Sequence, residues 1–178
     1  MELAIGQKVA YPSQGICLVE DIKKKPVGNH SIMFYLLRVL GDNSTIFVPT
    51  ENAETVGIRP IICLSEFKRL MNILEKDFDE ISADWKSRSR EYSEKLQSGD
   101  VFAAADVLKK LTFLSLEKKL SFREQNLLEK ARFLIISEIV NGNFDEEERA
   151  ESKISKLVQC ACRKHQNNQL QVMSAMIH

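Results

Sequence analysis

Two periodicities divide the chain. Up to about residue 60, short apolar runs are separated by turn residues, the punctuation of strands in a small sheet. Lys8-Val-Ala-Tyr11 predicts a strand, Pro12-Ser-Gln-Gly15 a turn, and Ile16 to Ile22 the next strand. Val27-Gly-Asn-His30 turns the chain into an aromatic-rich run from Ser31 to Leu40. Gly41-Asp-Asn-Ser44 then leads to Thr45-Ile-Phe-Val-Pro49, and a last short strand is expected over Thr55 to Ile58. About five strands with tight turns in this length imply a strongly bent sheet or partly open barrel. Pro49 marks its strand as an edge, because a proline in a central strand would delete a ladder hydrogen bond. Such an edge is either merely protected or open to another chain by strand addition.

After Arg59-Pro60 the period becomes helical. Phe67, Leu70, Met71 and Leu74 fall on one face behind a Ser65 cap. Ser82 or Asp84 caps a second helix that carries Trp85, Tyr92 and Leu96 and stops at Gly99; Asp100 caps a third. Ser121-Phe-Arg-Glu124 is a capping box opening a fourth helix, which ends at Asn141-Gly142. Acidic residues from Asp145 begin a fifth, with Ile154, Leu157 and Val158 inward. Past about Cys162, Gln and Asn dominate, and a disordered tail is expected. The fold class is therefore α+β with two domains, a small bent β-sheet or barrel followed by a compact all-α domain of about five helices. The boundaries are 1–60, 61–162 and a tail over 163–178.

Composition adds constraints. No apolar run approaches the roughly 18 residues of a membrane span, and the N-terminus lacks signal-peptide character, so a cytoplasmic protein with no membrane partner is expected. The 25 basic and 25 acidic residues cancel, so no global field draws the chain onto DNA. Charge is nonetheless segregated: Trp85 to Arg132 holds 11 basic against 7 acidic residues, whereas Glu75 to Asp84 holds five acids and one lysine. Nucleic acid held by such a chain is held weakly without a second anchor.

Trp85, the one tryptophan, precedes Lys86, Arg88 and Arg90, which spread around roughly half a helix circumference. An aromatic with fanned cations suits a surface that offers both stacking faces and phosphates, and a first-turn position adds free backbone donors. The alternative is a core tryptophan on a solvated, charged helix. Cys17 and Cys63 read as buried thiols. Cys160-Ala-Cys162-Arg-Lys-His165 offers three candidate metal ligands where structural zinc usually takes four, so no metal and no cofactor are expected. Phosphate-loop, zinc-protease and nucleophile-elbow motifs are all missing, and no enzyme is expected.

Gly6-Gln-Lys-Val-Ala-Tyr-Pro-Ser-Gln-Gly15, Val48 to Arg59, the Trp85 helix ending in Ser98-Gly-Asp100, and Leu120-Ser-Phe-Arg-Glu with Lys130-Ala-Arg132 resemble the CarD/CdnL family of bacterial RNA polymerase-binding transcription regulators, in register from about residue 1 to 160. The resemblance implies a Tudor-like N-terminal domain that binds the polymerase β subunit, as in transcription-repair coupling factor. It also implies a helical domain on promoter DNA near the upstream edge of the −10 element, with the tryptophan matching Trp85 wedged into the minor groove at the upstream fork of the bubble. Carried over by position, polymerase contacts fall to Lys25, Leu37, Phe47 and Pro49, and DNA contacts to Trp85, Lys86, Arg88 and Arg90. Phe47 stands where some members carry arginine, and Lys86-Ser-Arg-Ser-Arg90 alternates where the family pairs its arginines. The implied function is a monomeric regulator, nucleoid-associated through the polymerase, that stabilises the open promoter complex. The rival readings are a general single-strand or RNA-binding protein and a protein–protein adaptor without DNA contact.

Overall fold

A computed structural model describes residues 2–176. Five strands, β1 (Lys8–Tyr11), β2 (Gly15–Val27), β3 (His30–Val39), β4 (Thr45–Pro49) and β5 (Arg59–Pro60), form one antiparallel sheet in the order β4-β3-β2-β1-β5. The long β2–β3 hairpin reaches past the expected end at Ile22 because only Gly28 and Asn29 are needed to turn it, with Gly28 at φ +62°. A bulge between Val19 and Asp21 bends it. Leu3, Val9, Cys17, Val19, Tyr35, Leu37, Val39 and Val48 make a core on one face. The strand expected over Thr55 to Ile58 is not formed. After a 3-10 turn at Thr50–Asn52, the Val56, Gly57 and Ile58 amides bond back to Asn52, Glu54 and Ala53, and the sheet resumes only at Arg59.

Five helices follow: α1 (Leu64–Glu75), α2 (Trp85–Gln97), α3 (Val101–Glu117), α4 (Phe122–Asn141) and α5 (Glu147–Met176). Asp84, Asp100 and Ser121 cap α2, α3 and α4 as their spacing predicts. Helix α1 starts earlier than a Ser65 cap would put it: Cys63 is the N-cap, its amide donating to Glu66 Oε2 at 2.8 Å. Cys63 is therefore exposed, not the buried thiol its apolar neighbours suggest. The apolar α3 lies at the centre of a second core, with Leu108, Leu111, Ile135, Ile139 and Ile154 among its members. A further correction concerns the tail. Helix α5 runs on to Met176, and its packed face extends past Ala161 and Cys162 to His165, which is buried against the α1–α2 loop.

The sheet and the helices are bolted together. Arg59 meets Glu138 of α4 through two contacts, at 2.6 and 2.9 Å, and also donates to the Gly99 carbonyl at 2.8 Å. Glu138 in turn accepts the Ile62 amide at 3.0 Å. Lys130 donates to the Ser13 carbonyl, and Phe133 lies over Gly15 and Gly41. Pro12 packs where a Cβ at Gly99 would lie 2.8 Å from its Cγ, and Gly99 itself has φ +77°. Gly99→Ala is therefore expected to destabilise the protein by about 1–3 kcal/mol, combining left-handed strain with a domain-joint clash; thermal unfolding measures it.

Candidate nucleic-acid and polymerase interfaces

Trp85 is the first residue of α2 and 59% exposed, so the indole does not belong to the helical core. Asp84 ends the preceding loop and accepts the Lys86 and Ser87 amides at 3.4 and 2.9 Å. The first-turn donors that sequence alone leaves open to an anion are thus taken by a carboxylate, and any phosphate grip falls to side chains. Lys86 is exposed with its Nζ 5.8 Å from the indole ring. Arg90 is also exposed and pairs with Glu94 at 2.9 Å, a contact worth little in solvent.

Arg88 is different. It is 3% exposed, its guanidinium donating to the Ser82 carbonyl at 2.6 Å and to Glu124 at 2.7 Å. Its expected role as a phosphate contact is corrected by this geometry. Residues 85 and 88 are nearly one turn apart, but Arg88 turns inward and ties the start of α2 to the capping box of α4. Glu124 also accepts the Ser121 amide and hydroxyl at 3.0 and 2.9 Å. Burial pushes the Glu124 carboxyl up, but Arg88 and Ser121 outweigh it and hold the group down at about 2.

The α3–α4 corner places other, exposed cations beside Trp85. A groove of about 780 Å³ runs beside Trp85, lined by Lys118, Lys119, Leu120, Phe122 and Arg123. Phe122 is 79% exposed. Sequence reasoning missed these residues, although a phenylalanine at the first helical position among three cations is a readable signal of an apolar side chain turned to solvent. The acidic flank is partly structural. Glu75 meets Lys164, Asp77 meets His165, and Asp84 is the cap.

On the sheet, β4 is an edge strand, with Phe47 and Pro49 on it. Phe47 is 43% exposed, and the exposed Lys25 sets its Nζ 3.3 Å over the ring. Leu37 cannot join them. It is 0% exposed, because along β3 Tyr35, Leu37 and Val39 take the inward positions of a period-two strand. Among the described residues no group of His, Cys, Asp and Glu could hold a metal ion, and no helix is long and apolar enough to cross a membrane. The Cys162 thiol faces the Lys109 carbonyl, and burial pushes its pKa up to about 11.

Comparison with known proteins agrees with this two-part layout. The family model described as CarD-like/TRCF RID domain matches residues 3–62, and that described as CarD, C-terminal domain matches residues 69–155. The putative transcription factor YdeB of Bacillus subtilis (strain 168) is 27% identical over 135 residues, covering 76% of this chain and 88% of that protein. The solution NMR structure of the 72-residue N-terminal domain of Myxococcus xanthus CarD is 34% identical, covers 33% of this chain and 79% of that one, and has a TM-score of 0.29. The class is thus a transcription regulator that interacts with RNA polymerase. Within that class, the chain belongs to the CarD/CdnL family.

Proposed function

We propose that this protein binds the RNA polymerase β subunit through the β4 edge and stabilises the open promoter complex by wedging Trp85 into the minor groove at the upstream fork of the bubble. The observation that carries this reading is the exposed indole at the start of α2, bordered by an apolar, cation-rimmed groove. Aromatic wedges fill the gap left by an unstacked base step, and Lys86, Arg90, Lys118, Lys119 and Arg123 are available to neighbouring phosphates. Because Trp85 gains its site only when the duplex opens, the protein favours the open state by differential binding. The zero net charge suits a factor that relies on the polymerase for local concentration, and disfavours a general single-strand binder. The Arg59–Glu138 joint supports the reading further, since a tether helps a wedge only if the two are held at a set angle.

Two measurements test it. Open-complex lifetime should rise with added protein, and an unchanged lifetime sinks the wedge. Phe47→Asp should reduce capture of the isolated β subunit by about tenfold, the scale of a central interface anchor, with folding intact because Phe47 lies outside both cores. Undiminished capture would move the tether elsewhere.

A further inference from the structure

We infer that the end of α5 is a brace for the loop that delivers Trp85, and that His165 and Asn168 are positioning residues for the indole. This rests on the wedge reading above and concerns a segment beyond residue 155, where the match to the C-terminal family model stops. The loop between α1 and α2, residues 76–84, contains no helix or strand. A segment with so few backbone partners keeps one conformation only if side chains hold it.

It is held at three places. At its start, Lys109 Nζ donates to the Ile73 and Lys76 carbonyls at 2.7 and 3.1 Å, and Lys164 Nζ donates to the Glu75 carbonyl at 3.1 Å. At its end, Arg88 takes the Ser82 carbonyl. The second and third residues of the loop, Asp77 and Phe78, are held by α5. His165 Nδ1 lies 2.7 Å from Asp77 Oδ1, and Asn168 donates to Asp77 Oδ2 at 2.5 Å, so one turn of helix engages both carboxylate oxygens. The His165 ring also stacks on Phe78, with centroids 4.1 Å apart and planes 15° from parallel, and meets the edge of Phe113 at 5.0 Å. Its second nitrogen is 3.0 Å from Gln169 Nε2. His165 is 5% exposed, whereas every described residue after it on α5 is exposed. Packing of this helix therefore ends at the brace, as expected if holding the loop is what the extension is for.

A ligand group pre-set in its bound conformation binds without the cost of ordering it, so releasing the Asp77–Phe78 stretch of the loop should weaken the wedge without touching it. The variants are His165→Ala/Asn168→Ala and Asp77→Asn in the full chain. Trp85 is the only tryptophan, so its fluorescence anisotropy reports this site directly. In the double variant, hydrogen exchange over residues 77–83 should quicken while α3 and α4 stay protected. The anisotropy of Trp85 should fall, and open-complex lifetime should shorten about three- to tenfold at a temperature where circular dichroism shows the variant folded. Asp77→Asn, which keeps one carbonyl acceptor, should lie between and decides the matter if the double variant does not fold. Faster exchange with unaltered anisotropy overturns the inference and leaves the tail as a plain fastener. If Trp85→Ala itself leaves lifetime unchanged, the wedge reading fails, and the anisotropy alone then decides whether the brace orients the indole.

Discussion

Trp85→Ala should shorten the lifetime of the open promoter complex by roughly five- to a hundredfold, the scale of the ~1–3 kcal/mol that stacking on an aromatic contributes per base. The measurement is decay of a preformed complex after a competitor challenge. Two controls make the result specific. Capture of the β subunit should be unchanged, because Trp85 lies on α2 and the proposed tether on β4. The melting temperature should also hold, because a side chain 59% exposed and outside both cores contributes within about 0.5 kcal/mol to folding. Trp85→Phe should fall between, keeping a flat face of smaller area. If the alanine variant holds the complex open as long as the wild type, the wedge is not the mechanism, whatever the indole's exposure suggests.

Arg88→Ala should do the reverse, unfolding the helical domain more readily and harming function only as a consequence. Removing one partner of a buried ion pair strands the other charge, and the loss is typically about 3–5 kcal/mol. Calorimetry or chemical denaturation reads it, against Arg90→Ala, whose exposed pair should be nearly silent. The same pair makes an acid signature. The Glu124 carboxyl sits at about 2 in the folded chain against an ordinary 4.5, so between those values the unfolded chain binds the extra proton. Its contribution is complete above pH of about 4.5 and is lost as pH falls toward 2. Arg88→Ala should flatten the stability curve across that window; an unchanged acid limb would mean the pair is not what holds Glu124 ionised.

Much of this molecule was legible because the signals are local. Short apolar runs bounded by turn residues over Lys8–Tyr11 and Thr45–Pro49 mark strands, and Asp84, Asp100 and Ser121 mark helix starts through bonds to amides two or three residues on. The edge position of Pro49 follows from the same short-range logic, whereas the exposure of Trp85 stayed open between a surface aromatic and a core residue until the fold was seen. Errors arose where a residue's face, not its element, mattered. Leu37 lies on a strand as expected but on its inner side, and Arg88 lies on the Trp85 helix but turned toward Glu124, 36 residues away. The Phe122 corner needed the α3–α4 turn to bring Lys118, Lys119 and Arg123 beside Trp85.

The sequence by itself determined the two architectures, their order and the caps of α2, α3 and α4, and it singled out Trp85, all from neighbours within a few residues. The tertiary structure alone decided which cations are free and which are consumed, because burial depends on what packs across from a side chain. It also turned an expected loose tail into a helix, since Asp77 and His165 meet across 88 residues of chain. A pairing at that separation leaves no periodic trace in the residues between, and it exists only once the helices have packed.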